Sequence, residues 1–220
     1  MSGGSQSPTR EQIVGALRDH ELDKVISAEE DLNLAADYLA NMGFLGMADV
    51  NKFLLFTAHA PASASHHLAY EGGLFVHSFN VTRRLVQQTE LLKVPWPYWR
   101  SPYLVGMCHD LCKHDAYEPD PDHAGRFRKR RIVVAGHGLK SCAMLAALAD
   151  LFCHGQSVTE AEHAAIAYHM GAWGIGKEYS VEDLDSALKK YPLEIIATHT
   201  ADMLASQYDE RTVELGRTEV

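Results

Sequence analysis

His109 and Asp110 stand side by side in the segment LVGMCHDLCK, with Lys113 just beyond them. The residues ahead of the pair, Leu104, Val105, Met107 and Cys108, are apolar, so the segment reads as a helix buried at the point where the imidazole and carboxylate occur. A buried carboxylate is costly unless it is paired or bound to a metal. Lys113 follows three residues after Asp110 and four after His109, and on one continuous helix it projects from about the same face. A metal ligand set with a cation one turn on suits phosphate, whose charge must be neutralised from more than one side.

Further candidates recur along the chain at near-regular intervals. His77 opens a helix after Gly72 and Gly73, His137 in the tripeptide GHG starts another, and His169 in AYHMG closes a third. Asp202, in HTADMLAS, falls within a fourth, flanked by Ala201, Met203 and Leu204. One ligand per helix, each in apolar surroundings, is how a bundle converges side chains on a central point. Four imidazoles and two carboxylates suit one or two divalent transition metals such as Mn, Fe, Co, Ni or Zn. Mg and Ca, which prefer all-oxygen shells, fit less well.

The elements that must hold these residues are helical nearly throughout. Apolar residues repeat at helical spacing through Ile13, Val14 and Leu17, then through Leu32, Leu34, Ala35, Tyr38, Leu39 and Met42, then from Val50 to Ala58. The pattern predicts helices over 77–93, ending before Pro95 and Pro97, over 101–113, and over 137–153, the last an Ala/Leu-rich stretch expected to be buried. Thr159 and Glu162 fit a capping box opening the next helix. Two more follow over 181–189 and 192–207, the latter with Pro192 in its first turn. Only RKRRIVV, within a loop-rich stretch from Tyr117 to Ala135, has β-character, as one strand of a small hairpin. The expected architecture is all-α, a compact bundle with one loop or hairpin insert. Its parts are a flexible N-terminus over 1–8, N-terminal helices over 9–60 packing on the core, a metal-site domain over 61–210 and a tail over 211–220.

Composition bounds what this constellation does. The 220 residues carry a formal charge of −9, which opposes gripping long nucleic acid by bulk electrostatics but leaves room for a small anion held by a metal. MSGGSQSP lacks the pattern of a signal peptide, and no apolar run approaches a membrane span. Cys108, Cys112, Cys142 and Cys153 contain no C-x-x-C pair and read as reduced thiols. These features predict a cytoplasmic protein with no membrane partner.

The order H…HD…H…H…D, in the contexts GGLFVHS, HDLCK, GHG and YHMG, resembles the HD-domain metal-dependent phosphohydrolases over roughly residues 60–210. SHHLAYEGGLFVHS in particular is similar to the HD domains of bacterial 3′–5′ exoribonucleases and of certain relaxase proteins. The resemblance implies that His77, His109, Asp110 and Asp202 are core metal ligands. It matches His137 and His169 to the additional histidines of members that hold two metals, with Asp110 bridging. HDLCK departs from the usual HD-x-G-K, a change expected to affect packing rather than ligation.

The activity implied is hydrolysis of a phosphomonoester or phosphodiester, in a nucleotide or a short nucleic-acid end. Bound cations would polarise a phosphate oxygen and activate water, and Lys113 would stabilise developing charge. The same six ligands also serve HD-fold di-iron oxygenases, the main rival, and a non-catalytic HD module is the other; such modules typically lose ligands. For the substrate, His66 and His67 either line the pocket mouth or lie on a loop surface. Arg128 and Arg130, in the basic run 126–131, either lean over the site or form a solvated hairpin. Trp173 and Tyr179 either stack a base or anchor a Gly-rich loop. His199 is either a support for a ligand or a packed helix residue.

Overall fold

The computed structural model describes residues 7–130, 136–151 and 157–211. The chain is all-α, with one two-stranded hairpin among the described residues. Three helices come first: α1 (Arg10–Asp19), α2 (Glu29–Asn41) and α3 (Met47–Thr57). The long α4 (Gly73–Leu92) and short α5 (Ser101–Cys108) follow, then the hairpin β1 (Tyr117–Pro119) and β2 (Phe127–Lys129). α6 (His137–Leu148), α7 (Glu160–Ala167), α8 (Val181–Lys190) and α9 (Pro192–Leu204) complete the order.

Local chemistry explains where several helices start. Thr9 with Gln12, Thr159 with Glu162, and Ser180 with Asp183 form reciprocal capping boxes at α1, α7 and α8. Pro192 occupies the first turn of α9, where its missing N–H costs nothing. α4 begins one turn earlier than the sequence pattern suggests. Gly72 takes a left-handed conformation (φ 85°) that swings the chain into the helix, so Gly73 starts it and His77 lies a full turn inside.

α4 is the central helix, packed against α5 and α9, while α7 bridges α5, α6 and α9. α1 packs on α2 and α3, and α2 reaches α4 and α5. Buried apolar side chains from Ile13 through Phe53, Phe75 and Leu104 to Ala205 form one connected core. α6 and α7 approach unusually closely at Gly138, where a Cβ would fall 2.3 Å from the Ala167 carbonyl oxygen. Only glycine permits that contact, and it brings the start of α6 beside the end of α7.

Four helical expectations change in ways that matter below. The segment 101–113 is not one helix: α5 stops at Cys108, Asp110 turns out of helical geometry (φ −112°, ψ 21°), and Leu111–Asp115 winds as a 3₁₀ turn. α6 is buried along one edge only, at Gly138, Ser141 and Leu145, because α7 and the 111–115 turn cover a single side of it. α7 ends at Ala167, leaving His169 in the turn that follows. α9 gives way after Leu204 to a π-helical turn, Ala205–Asp209. The strand in the basic stretch is Phe127–Lys129. Residues 1–6, Arg131–Ala135, Cys153 and 212–220 lie outside the described residues, and with them most of both expected termini and the IVV part of the strand.

Candidate metal centre

The break in helix geometry at His109–Asp110 is what builds the site. On a continuous helix the carboxylate would face one side; the turn at Asp110 instead sets its two oxygens toward different neighbours. Oδ2 lies 3.3 Å from His77 Nε2, 3.5 Å from His109 Nε2 and 2.5 Å from Lys113 Nζ. Oδ1 lies 2.6 Å from His137 Nε2 and 3.7 Å from His169 Nε2. His77 Nε2 is also 3.3 Å from Asp202 Oδ1 and 3.3 Å from His109 Nε2. All six ligands expected from the sequence therefore converge, and His77, His109, Asp110 and His169 are almost wholly buried.

Each imidazole is held by its other nitrogen. His109 Nδ1 donates to the Gly106 carbonyl (2.8 Å) and His169 Nδ1 to the Ile166 carbonyl (2.6 Å). His77 Nδ1 meets the buried Glu210 carboxylate at 2.9 Å, and His137 Nδ1 meets Cys112 Sγ at 3.0 Å. Fixing Nδ1 leaves every Nε2 facing the centre, which is how outer groups set tautomer and aim in metal sites. His199 acts one layer further out, where its Nδ1 donates to the His169 carbonyl (2.6 Å).

The electrostatics match a site made for cations. Burial disfavours charge on His77, yet Glu210, Asp110 and Asp202 hold its pKa well above the ordinary value. Burial likewise opposes charge on His137, but Asp110 and Cys112 raise it to about 10. Against the penalty of burial, Lys113, His137 and His109 keep Asp110 well below the usual carboxylate range. His169, without a close carboxylate hydrogen bond, falls to about 4 through burial and the neighbouring His109. In the metal-free chain, Lys113 and protons on His77 and His137 thus balance Asp110, Asp202 and Glu210. Divalent cations held by the same residues would supply that positive charge in place of the protons. His169 Nε2 is buried without any hydrogen-bond partner among the described residues, and Asp110 Oδ1 is buried with only the His137 ion pair. Buried polar atoms with unfilled lone pairs are costly, and a metal ligated by both would remove the cost. Buried His, Asp and Cys groups here are positioned to hold a metal ion, in overlapping sets that include His77, His109 and Asp202 as well as His109, Asp110 and His169.

Two contributors escaped the sequence reading. Cys112, in place of the glycine of HD-x-G-K, does more than alter packing: its side chain holds His137. Glu210 lies eight residues beyond Asp202. Eight residues of regular α-helix overshoot two turns by about 80°. The π-turn at Ala205–Asp209 winds less per residue and takes back that excess, so Glu210 reaches His77 from the far end of the chain. Its only sequence signal was an acidic residue two turns past Asp202. Glu210→Gln is expected to weaken metal retention about 10–100-fold, the usual effect of disturbing a carboxylate behind a ligating histidine. Competition with a chelator measures it, and unchanged retention would assign Glu210 to folding alone.

The substrate candidates divide. A cavity of about 390 Å³ opens over the centre, lined by Asp110, Lys113, His137 and Asp202 and rimmed by His67 and Trp173. Trp173 is 56% exposed there. His66 lines an adjoining cavity. Arg128 and Arg130 do not line either one. Antiparallel register sets Arg128 opposite Glu118, which takes its guanidinium at 2.8 Å, and Arg130 is solvent-exposed. Tyr179 is no entrance residue either. It is buried under Gly174, and its hydroxyl donates to the Gly171 carbonyl (2.7 Å), anchoring the Gly-rich loop.

No helix among the described residues is long and apolar enough to cross a membrane. Comparison with protein-family models, with curated proteins and with solved structures finds no match to this chain.

Proposed function

We propose that this chain is a metal-dependent phosphohydrolase of the HD-domain kind, acting on a phosphoester of nucleotide type. One observation carries the reading: the two oxygens of a single buried carboxylate, Asp110, face two separate histidine groups, with Lys113 alongside. His77, His109 and Asp202 with Asp110 would hold one cation, and His137 and His169 with Asp110 a second. Bound there, such cations polarise phosphate oxygens and make hydroxide available near neutral pH.

The chain's own residues supply the rest. Lys113 spends one of its three donors on Asp110 and borders the cavity, so its positive charge is available to a phosphate there. Trp173 offers an exposed indole face at the rim on which a base stacks. No disulfide joins Cys108, Cys112 and Cys142 to one another, in keeping with a reducing, cytoplasmic setting.

Elemental analysis of the purified protein tests this, followed by hydrolysis assays on nucleotide mono- and diesters before and after chelation. The expected outcome is about two equivalents of transition metal per chain and an activity lost with the metal and restored by Mn²⁺. A metal-free preparation with undiminished hydrolysis would sink the proposal. Iron-dependent oxygen consumption without hydrolysis would replace it with the di-iron oxygenase reading.

A further inference from the structure

Beside the metal cavity lies a second one of about 520 Å³, and the two share His67, Ser206 and Gln207 as a common wall. Its remaining lining is Ser65, His66 and Arg211. Two properties set it apart from an ordinary surface dimple. The named lining side chains are all polar, whereas the metal cavity has Trp173, Met170 and Met203 in its wall. It also contains a guanidinium, Arg211, with no acidic partner among the salt bridges of the described residues. Arg84, Arg18 and Arg10, by contrast, are each paired with a carboxylate. In a chain of net charge −9, an arginine without an acidic partner among the described residues, beside a candidate phosphate site, is a feature with a chemical direction.

The wall that bears the histidines is built, not loose. Ser63 Oγ donates to the His67 carbonyl (2.8 Å) and accepts the His66 amide (2.9 Å), and the Ala62 amide donates to the Leu68 carbonyl (3.1 Å). This bracing fixes consecutive histidines on opposite duties, with His67 at the boundary of both cavities and His66 in the second only. The π-turn supplies Ser206 and Gln207 to the same shared boundary. The same turn that aims Glu210 at His77 therefore also shapes the second compartment.

We infer that the second compartment is a subsite for a second phosphate of the substrate, held by Arg211 with His66 and the Ser65, Ser206 and Gln207 side chains. Guanidinium is the preferred partner for phosphate because its planar fork matches two oxygens at once. Hydroxyl, amide and imidazole groups complete a phosphate and sugar environment, and the absence of an aromatic or aliphatic wall disfavours a base. The substrate then carries two phosphates. The scissile one sits at Asp110 and Lys113 with its nucleoside toward Trp173, and the next lies beyond His67. That describes a linear dinucleotide or an oligonucleotide end bearing a further phosphate rather than a mononucleotide. The inference rests on the phosphohydrolase reading for the scissile position only; the second site makes a binding prediction of its own.

The test compares Mn²⁺-loaded protein on the dinucleoside monophosphate dTpdT, which has one phosphate, with the linear dinucleotide pdTdT, which has two and the same leaving group. The second phosphate is expected to raise kcat/KM at least about tenfold, mainly through KM. In Arg211→Ala that preference falls to near unity, and Arg211→Lys, which keeps the charge but not the fork, recovers part of it. Equal kcat/KM for the two substrates, or a preference that survives Arg211→Ala, overturns the subsite and leaves the phosphohydrolase reading standing. Calorimetric titration of a methylene-bridged, non-hydrolysable pdTdT analogue separates the other failure. Binding weakened about tenfold by Arg211→Ala, with hydrolysis of neither ester, supports the subsite and overturns the phosphohydrolase reading. Binding indifferent to Arg211 overturns the subsite by itself.

Discussion

Asp110→Ala leaves the protein without tightly held metal and lowers turnover by at least about 10²–10³-fold. Among the ion pairs of the described residues, only Asp110 pairs with histidines of both groups: Oδ2 approaches His77 and His109, and Oδ1 approaches His137 and His169. Its removal takes a ligand from both proposed cation positions at once. It also leaves Lys113 and two protonated imidazoles without their central counter-charge, and breaking a buried ion pair from one side costs about 3–5 kcal/mol. Because that loss alone could unfold the chain, Asp110→Asn is the companion variant, keeping volume while removing charge. Metal content by mass spectrometry, alongside circular dichroism to verify folding, decides the matter. A folded Asp110→Asn protein with full metal content and full turnover would remove Asp110 from the centre of the account.

Lys113→Met has the second largest effect, and it separates binding of metal from use of it. Burial works against a charge on Lys113, but Asp110 and then Asp202 hold its pKa far above the usual lysine value, so it is a fixed cation across the working pH range. It is a pairing partner of Asp110, not one of the proposed ligands, and it borders the cavity. The variant is expected to retain its metal while kcat drops about 10²-fold, the scale on which one preorganised charge acts in a water-poor site. Methionine preserves the stem's packing. Loss of metal together with activity would instead make Lys113 a structural counter-ion that keeps Asp110 ionised.

Much of the centre was legible because ligand chemistry leaves a mark in sequence. His77, His109, His137, His169 and Asp202 each lie in or beside an apolar helical stretch, where a polar residue without a task is costly, and all of them converge with Asp110. Capping boxes and Pro192 were legible for a different reason, since they depend on neighbours within one turn. The parts left open depend on partners more than one helical turn away. Arg128 looked like an anion contact until strand register set Glu118 opposite it. For Tyr179 the choice between stacking platform and loop anchor falls to the anchor, because the Gly174 gap draws it under the loop. Glu210 and Cys112 carried no recognisable spacing, because each acts on a histidine supplied by another element.

The sequence by itself determined the helical class, most helix starts and the identity of the six convergent histidine and aspartate side chains. Those follow from periodicity, local capping and the cost of burying imidazole and carboxylate, all readable within a few residues. Only the tertiary structure decided how the ligands are shared. The break at Asp110 splits one carboxylate between two histidine groups, and the π-turn after Leu204 rotates Glu210 behind His77. The close approach at Gly138 brings His137 beside His169. These are departures from regular helix geometry, held in place by long-range packing and charge. A reading that assumes regular helices places the right residues on the page but cannot aim them.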